Sequence, residues 1–495
     1  MMRPCRAAAG RAALALGLAL AAAAPLALGG CSVNPATGDE QFTAFLSPEE
    51  ERRVGSQEHP KLVAAFGGLY DDPALQQYVS SLGRLLQQTS EQPEPPFTFV
   101  ILDSPEVNAF ALPGGYIHVT RGLMALANDE AELAGVIAHE IGHVTARHSA
   151  ERYSHGLVAG LGAAILGAVI DNRNVSDFAN LAAGAYVQGY SRSQELQADT
   201  LGVRYLSRAG FDATAMSSFL ETMGAESALA SKMAGERGGG AQGGLLASHP
   251  RTADRVRAAA DAARARFGGE RDRDLYLRRI DGMIYGDSPE DGFVRGRAFA
   301  HPVRRIAFTA PPGFHLRNAP EAVVGTHPSG VTMRFDEATL ASPSLDTWRY
   351  LRGVWASKVP LTRIERMQVD GLDAAAASTR VRTASGVRDV RLVAIRAAPT
   401  RVYRFFFATP PQLTREFSDP FRQMIASFRR LGLGQIATLR PLRLRVVEVA
   451  PGDTVGILAA RMPFNEFRVE RFRVLNGLRP GERLQPGQLV KIVTE

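Results

Sequence analysis

The sequence predicts a multidomain α+β protein, and three patterns carry that prediction. A mainly helical first part contains one long apolar helix-like run, Glu130 to Ala146, beside a small cluster of strand-like runs. Residues 297–432 alternate strand-like runs with two helical candidates, which reads as an α+β unit with a mainly antiparallel sheet. Residues 442–495 follow a β-α-α-β order of their own. The chain has 495 residues, room for about two to four domains. The expected division is a targeting segment at 1–30, a first domain at 31–286, the α+β domain at 297–432 and the small C-terminal domain at 442–495.

Arg3, Arg6 and Arg11 precede an apolar run from Ala12 to Leu28, the pattern of an export signal. Leu28-Gly29-Gly30-Cys31 then has the form of a lipobox, in which small residues precede a cysteine that is lipidated and becomes the first mature residue. A plain signal peptide explains the apolar run but not Cys31. A retained membrane helix is the weaker alternative, because Pro25, Gly29 and Gly30 interrupt the run. By analogy with bacterial lipoproteins, Ser32 after the cysteine points to the outer membrane. The expected location is that of an exported outer-membrane lipoprotein facing the periplasm, with the lipid as membrane anchor. Cys5 and Cys31 are the only cysteines. With one removed and the other acylated, no disulfide forms and no thiol remains for metal or nucleophilic chemistry. The formal charge is +7, and +4 without the three N-terminal arginines. Basic residues are scattered, with no basic stripe interleaved with aromatics, so nucleic-acid binding is not expected.

Ser47-Pro48-Glu49-Glu50 predicts a helix start, with Ser at the cap, Pro at the first helical position and Glu at the third. Helical periodicity continues from Leu62 to Leu86, and Phe97 to Leu102 is strand-like. Asn108-Ala109-Phe110-Ala111-Leu112-Pro113-Gly114-Gly115 leads into a second β run, Tyr116 to Thr120. Two readings of that run stay open. It is an edge strand bordering a cleft, where an extended peptide adds by β-augmentation and Asn108, Ala109 and Phe110 contact substrate, or it is an ordinary core strand. Leu157 to Ile170 is apolar but too short to span a bilayer; it reads as a buried or lid helix, or as an interfacial segment. Gly235 to Leu246 is a glycine-rich loop of high backbone entropy. It runs into Ser248-His249-Pro250-Arg251 and a short helical run through Arg266.

Inside the long apolar run lies His139-Glu140-Ile141-Gly142-His143, an H-E-x-x-H motif. Positions i and i+4 share a helix face. His139 and His143 can therefore offer two imidazoles to one metal ion, with Glu140 beside the open position as general base. Without a thiol, the third ligand must be His, Asp or Glu. The segment Ser191 to Asp199 places Glu195 and Asp199 four residues apart on one helix face. One carboxylate can bind the metal. The other can accept a hydrogen bond from the free ring nitrogen of a ligand histidine and fix its tautomer. Glu195 is assigned to the metal and Asp199 to the supporting position. The expected cofactor is one Zn2+ per chain, and the expected chemistry is hydrolysis of internal peptide bonds. His249 follows the glycine-rich loop, so it is a movable candidate for this site, as a ligand or as a donor to the oxyanion; a structural loop histidine is the other reading. His148, five residues after His143, would point about 140° away on a continuing helix and is not assigned. His118 and His155 show no partner pattern.

HEIGH, SRSQELQAD and SHPRTADR together resemble the gluzincin family of the CAAX prenyl proteases, HtpX, BepA and LoiP, metallopeptidase family forty-eight. NAFALPGG and Val33-Asn34-Pro35-Ala36-Thr37-Gly38 are similar to the periplasmic members. The resemblance spans roughly residues 31 to 285. It implies a zincin-type metalloprotease fold, zinc at His139, His143 and Glu195, and Glu140 as catalytic acid/base. In BepA-like relatives the histidine matching His249 can occupy the zinc and shut the site. The resemblance further implies quality control of unfolded or misassembled envelope proteins. Two departures matter: no multi-pass membrane helices are expected, and no period of about 34 residues marks helical repeats. A shared partner therefore does not follow.

In the α+β domain, strand-like runs are expected at Arg305 to Thr309, Val331 to Phe335, Val390 to Ile395 and Val402 to Ala408. Helices are expected at Ser344 to Ser357 and Asp419 to Phe428. No catalytic constellation is visible there. In the C-terminal domain, PGDTV, VLNGL and LQPGQLVKIV resemble a LysM module, which implies binding to N-acetylglucosamine polymers such as peptidoglycan. A copy kept only for packing is the alternative, because fold does not imply function. Two further functional classes stand beside the protease: a chaperone or assembly scaffold with a latent site, and a peptidoglycan-anchored scaffold.

Overall fold

The computed structural model describes residues 31–43, 46–155, 189–233, 249, 253–264, 268–319, 321–383 and 386–495. Residues 1–30, expected to be a targeting segment, the apolar stretch Leu157 to Ile170 and the glycine-rich run Gly235 to Leu246 lie outside the described residues. Among the described residues, no helix is long and apolar enough to cross a membrane.

The first helix, Pro48–Ala65, starts at the expected capping box: Ser47 Oγ accepts from the Glu50 amide, and the Glu50 side chain accepts from the Ser47 amide. The helical periodicity expected from Leu62 to Leu86 is interrupted. Gly67 and Gly68 take positive φ (86° and 91°), which ends the first helix, and a second runs over Pro73–Gln88 behind an Asp72 cap. A three-stranded sheet follows. Thr98–Leu102 runs parallel to Tyr116–Thr120, and Ala109–Leu112 pairs antiparallel with Tyr116–Thr120 on its other side. The edge-strand reading of Tyr116 to Thr120 is thereby corrected: that run is the central strand, and Ala109–Leu112 is the edge. The Pro113-Gly114-Gly115 turn folds the edge back on its neighbour, and a Cβ on Gly115 would lie 2.2 Å from the Phe97 ring.

The apolar run forms the helix Glu130–Thr145, hereafter the motif helix, with Asp129 accepting from the Glu132 amide at its cap. Every residue from Ala131 to Thr145 is buried, so it crosses the core rather than lining a surface. Against it packs the helix Arg192–Arg208, with Gly142 and Gly202 at the contact. A Cβ on Gly142 would meet the Ala198 carbonyl at 3.1 Å, and one on Gly202 would meet the His139 amide nitrogen at 3.1 Å. The missing side chains let the two backbones approach.

Residues 293–430 form two antiparallel sheets, one of seven strands and one of four, around a core rich in phenylalanine that includes Phe299, Phe308, Phe335, Phe405, Phe407 and Phe428. The polar stretch Gly286 to Gly296 is not wholly a linker, because Phe293–Arg295 already pairs with Ala298–His301. The helix expected at Ser344 to Ser357 shortens to Thr347–Tyr350 followed by a π-turn, Leu351–Trp355. The one expected at Asp419 begins earlier and spans Thr414–Ser427.

The C-terminal residues adopt the expected order: strand Leu442–Glu448, helices Val455–Ala460 and Arg468–Leu475, and strand Leu489–Thr494. The two strands pair antiparallel, and Ile284–Tyr285 adds to the outside of the first. Leu444, Leu458, Phe472, Val490 and Ile492 belong to the same apolar core as Ile137, Tyr276 and Ile280. The buried Lys491 Nζ reaches the carbonyls of Ala125, Leu126 and Ala127 at 2.8, 3.3 and 2.6 Å. These carbonyls close the helix Arg121–Leu126, so Nζ caps its C-terminal end, and burial holds the Lys491 pKa well below its ordinary value.

Candidate metal centre

Donors from the motif helix, from Arg192–Arg208 and from the segment at His249 meet in the core. His139 and His143 face the same side, with their Nε2 atoms 3.0 Å apart. Glu195 Oε1 lies 3.5 Å from His143 Nε2, and Oε2 lies 3.6 Å from His139 Nε2. His249 Nδ1 is 2.8 Å from Glu195 Oε1 and 3.3 Å from His139 Nε2. One ligand atom from each of these four buried residues lies within 4.8 Å of the others. Donors about 2.0–2.1 Å from a tetrahedral zinc ion sit about 3.3 Å from one another, so the spacing fits such an ion.

The chemistry of the donors fits as well. Two imidazole nitrogens and a carboxylate converge with few protons to share, an arrangement that a cation relieves. Glu140, on the same helix turn, is 0 % exposed, and neither of its carboxylate oxygens has a hydrogen-bond partner among the described residues. A buried carboxylate without a partner is costly. The nearest cationic candidate, His249 Nε2, stands 3.5 Å from Glu140 Oε1.

A second layer holds the donors. Asp199 Oδ1 lies 2.9 Å from His139 Nδ1. Arg255, on the helix Ala253–Arg264, donates from Nε and Nη2 to the two Asp199 oxygens at 2.7 Å each, and its Nη1 is 2.6 Å from Glu195 Oε2. One planar fork thus fixes both carboxylates. Sequence reasoning assigned Arg255 no role; its only signal was its place at the end of SHPRTADR. His148 stands outside the donor group, as expected, but it does not point away from His143. The motif helix ends at Thr145, and Arg147 takes a left-handed φ of 55°. The chain turns back, and His148 Nδ1 comes within 2.8 Å of His143 Nδ1 while its Nε2 meets Gln197 Oε1 at 2.6 Å. The 140° divergence holds only on a helix that continues. Tyr190 was missed too: its ring stacks on His143 at 3.7 Å.

Burial dominates the electrostatics. It raises the pKa of Glu140 and lowers that of His143 well below its usual value. His148 falls to about 4 for the same reason. For Glu195, burial pushes upward, but the charge of His249 and hydrogen bonds from His143 and His249 outweigh it and keep the carboxyl ionised. Asp199 follows the same pattern, held down by hydrogen bonds from Arg255 and His139.

Of the candidate substrate-binding residues, Ala109 and Phe110 lie on the edge strand and Asn108 immediately precedes it. Asn108 Oδ1 is buried without a hydrogen-bond partner among the described residues. The Phe110 ring stacks on His118 at 4.6 Å and lies 5.0 Å from Phe66, so it props the sheet from one side. His118 is fully buried and its Nε2 meets His59 Nδ1 at 2.9 Å; His155 is exposed. Cys31 begins a short strand, Cys31–Val33, paired with Glu40–Phe42. In the turn between them, Asn34 Nδ2 donates to the Ala146 carbonyl at 3.2 Å, which ties the N-terminal hairpin to the end of the motif helix.

Residues 73–263 match the family model described as Peptidase family M48. The chain is 34% identical over 188 residues to the beta-barrel assembly-enhancing protease of Escherichia coli (strain K12), covering 36% of this chain and 38% of the relative. The protein of the same description from Yersinia pestis is 32% identical over 198 residues, covering 38% and 40%. The mitochondrial metalloendopeptidase OMA1 of Arabidopsis thaliana is 35% identical over 152 residues, covering 30% and 28%. The chain thus spans no more than about two fifths of the length of these relatives. The donor cluster falls inside the shared stretch, and the chain carries a Peptidase family M48 domain at residues 73–263.

Proposed function

We propose that this chain is a zinc-dependent endopeptidase. The observation that carries the reading is the convergence of His139, His143, Glu195 and His249 beside the buried, unpartnered Glu140 carboxylate. When bound, zinc supplies a Lewis acid that polarises the scissile carbonyl and lowers the pKa of water toward about 7. His139, His143 and Glu195 hold the ion. Glu140 takes the proton of the attacking water and passes it to the leaving amine. Asp199 accepts from His139 Nδ1, which keeps the Nε2 lone pair aimed at the ion. Arg255 holds Asp199 and Glu195 in register. An extended substrate adds to the Ala109–Leu112 edge, with Asn108, Ala109 and Phe110 at its start. Backbone pairing of this kind gives affinity with little sequence preference, which suits unfolded chains.

The proposed substrates are misfolded or misassembled cell-envelope proteins, in keeping with the description of the Escherichia coli relative as a beta-barrel assembly-enhancing protease. The lipobox ending at Cys31 supports an outer-membrane lipoprotein facing the periplasm. The LysM-like order of residues 442–495 supports contact with peptidoglycan; unchanged pull-down on cell-wall sacculi after Leu478 and neighbouring turn residues are replaced would count against it.

One observation favours a second reading. His249 Nδ1 stands among the donors, 2.8 Å from Glu195 Oε1. As a fourth ligand it fills the position water needs, and the protein is then a mainly latent protease acting as a chaperone or assembly factor. A degradation time course on an unfolded model protein separates the two, with bound zinc quantified for wild type, Glu140→Gln and His249→Ala. Cleavage by wild type and none by Glu140→Gln supports the protease, and a faster His249→Ala identifies the latch. Zinc binding without cleavage in all three rejects the active-protease reading in favour of the second.

A further inference from the structure

Away from the metal centre, a cavity of about 130 Å3 lies where several parts of the chain meet. Its walls come from the helix Arg121–Leu126, the helix Ala215–Met233, residues Ile284 to Gly286 and the C-terminal helix Arg468–Leu475. Leu126, Leu229, Met233 and Leu475 make an apolar wall, and the charged groups that face the cavity are Arg121, Arg471 and Glu226.

Those charges are not spent on one another. Arg121 is 1 % exposed. Its Nε is held 2.5 Å from Asp103 Oδ1, and its Nη1 donates to the Ile284 carbonyl at 3.3 Å. Its Nη2 is buried with no hydrogen-bond partner among the described residues. Arg471 Nε is also buried and unpartnered there, while its guanidinium lies over the Phe464 ring at 4.4 Å. Glu226 forms an ion pair with neither arginine, although Arg471 is the charge that opposes the upward pull of burial on its carboxyl. Buried donors left open in this way are costly unless something fills them.

We propose that this cavity binds a free amino acid with a small apolar side chain. The ligand carboxylate accepts from Arg121 Nη2 and Arg471 Nε, its ammonium donates to Glu226, and its side chain lies against Leu126, Leu229, Met233 and Leu475. Other ligand classes fit less well. A simple anion meets Glu226 inside the cavity and Asp103 behind Arg121, which already offset the guanidinium charge. A purely apolar ligand leaves the open Arg121 Nη2 and Arg471 Nε donors unfilled and Glu226 without an ion pair. An apolar cavity of about 150 Å3 takes up benzene, so the volume here suits a ligand of alanine to valine size.

Titration calorimetry on the intact protein tests this with L-alanine and L-valine. Saturable binding of valine is expected. Valinamide, which lacks the carboxylate, and N-acetylvaline, which lacks the ammonium, are each expected to bind about tenfold more weakly or worse, since each loses charged hydrogen bonds. These arms need only wild-type protein. Arg471→Leu is expected to erase the preference for valine over valinamide, and Glu226→Gln the preference over N-acetylvaline. No saturable binding of either amino acid, or equal binding of valine and its two derivatives to wild type, overturns the proposal.

Discussion

Glu140 shares a helix turn with His139 and His143, yet neither of its carboxylate oxygens accepts a hydrogen bond among the described residues, with His249 Nε2 3.5 Å from Oε1. A group kept so close to the donor set and free of hydrogen bonds is placed to handle a proton rather than to hold structure. Glu140→Gln preserves shape and removes that capacity. It is expected to keep its zinc and to lower kcat by about 10²- to 10⁴-fold, measured on an unfolded protein substrate with metal content determined in parallel. Arg255 acts differently. It touches both carboxylates, at 2.6 Å on Glu195 and 2.7 Å on Asp199. Arg255→Gln removes the fork, and the expected effect is a loss of about 10- to 100-fold in zinc affinity by competition with a chelator. An unchanged affinity would show that Glu195 and Asp199 hold their positions without it. The H-E-x-x-H spacing and the Glu195–Asp199 pair were legible because helix geometry fixes i and i+4 neighbours locally. Arg255 was not, because it reaches the site from a separate helix, and only folding brings that helix there.

The decisive element contact is the crossing of the motif helix with Arg192–Arg208. Gly142 and Gly202 remove the two side chains that would hold the helices apart. Gly142→Ala would place a methyl 3.1 Å from the Ala198 carbonyl. Helix propensity favours alanine by about 1 kcal/mol, but overpacking against a backbone costs about 1–3 kcal/mol. Net destabilisation is expected, seen as a lower Tm by calorimetry, together with weaker zinc retention because Glu195 moves with its helix. Other elements show where local sequence misleads. Leu372–Thr383 carries four alanines in a row and has no strand-like look, yet it is an inner strand paired on both sides. Its neighbours, Arg363–Val369 and Gly386–Ala398, impose the extended form, and the alanines alternate between two apolar clusters, Ala374 and Ala376 in one and Ala375 and Ala377 in the other. Tyr116 to Thr120 reads as a strand from its own residues, but its central position depends on which strands flank it.

At the scale of the whole molecule, the C-terminal β-α-α-β unit shares a core with the helical part and is held by Lys491 across the end of Arg121–Leu126. Three residues beyond that helix, Asp129 caps the motif helix. Deleting residues 442–495 would expose Ile280 and its apolar neighbours and strip Ile284–Tyr285 of its strand partner. The truncated protein is therefore expected to lose cooperative unfolding and to aggregate, by calorimetry and light scattering, rather than to persist as a protease lacking only a tether. Lys491→Met is a milder test. It leaves buried carbonyls without donors, and a loss of about 1–3 kcal/mol is expected in denaturant unfolding. Wild-type stability in that variant would show that apolar packing alone holds the unit in place.

The sequence by itself determined the motif helix with its two histidines and glutamate, the carboxylate pair on a second helix, the capping box at Ser47, and the order of strands and helices in residues 442–495. All of these are set by residues within a few positions of one another, where periodicity and capping act directly. Only the tertiary structure decided that His249 and Arg255 reach the donor cluster, that His148 returns to His143, that Ala109–Leu112 is an edge of its sheet, and that the C-terminal unit is part of the core. Apart from the local turn at Arg147 that returns His148, each of these depends on contacts between segments far apart in the chain. They follow from close packing at the two glycines and from the burial of a common apolar surface, which no local pattern records.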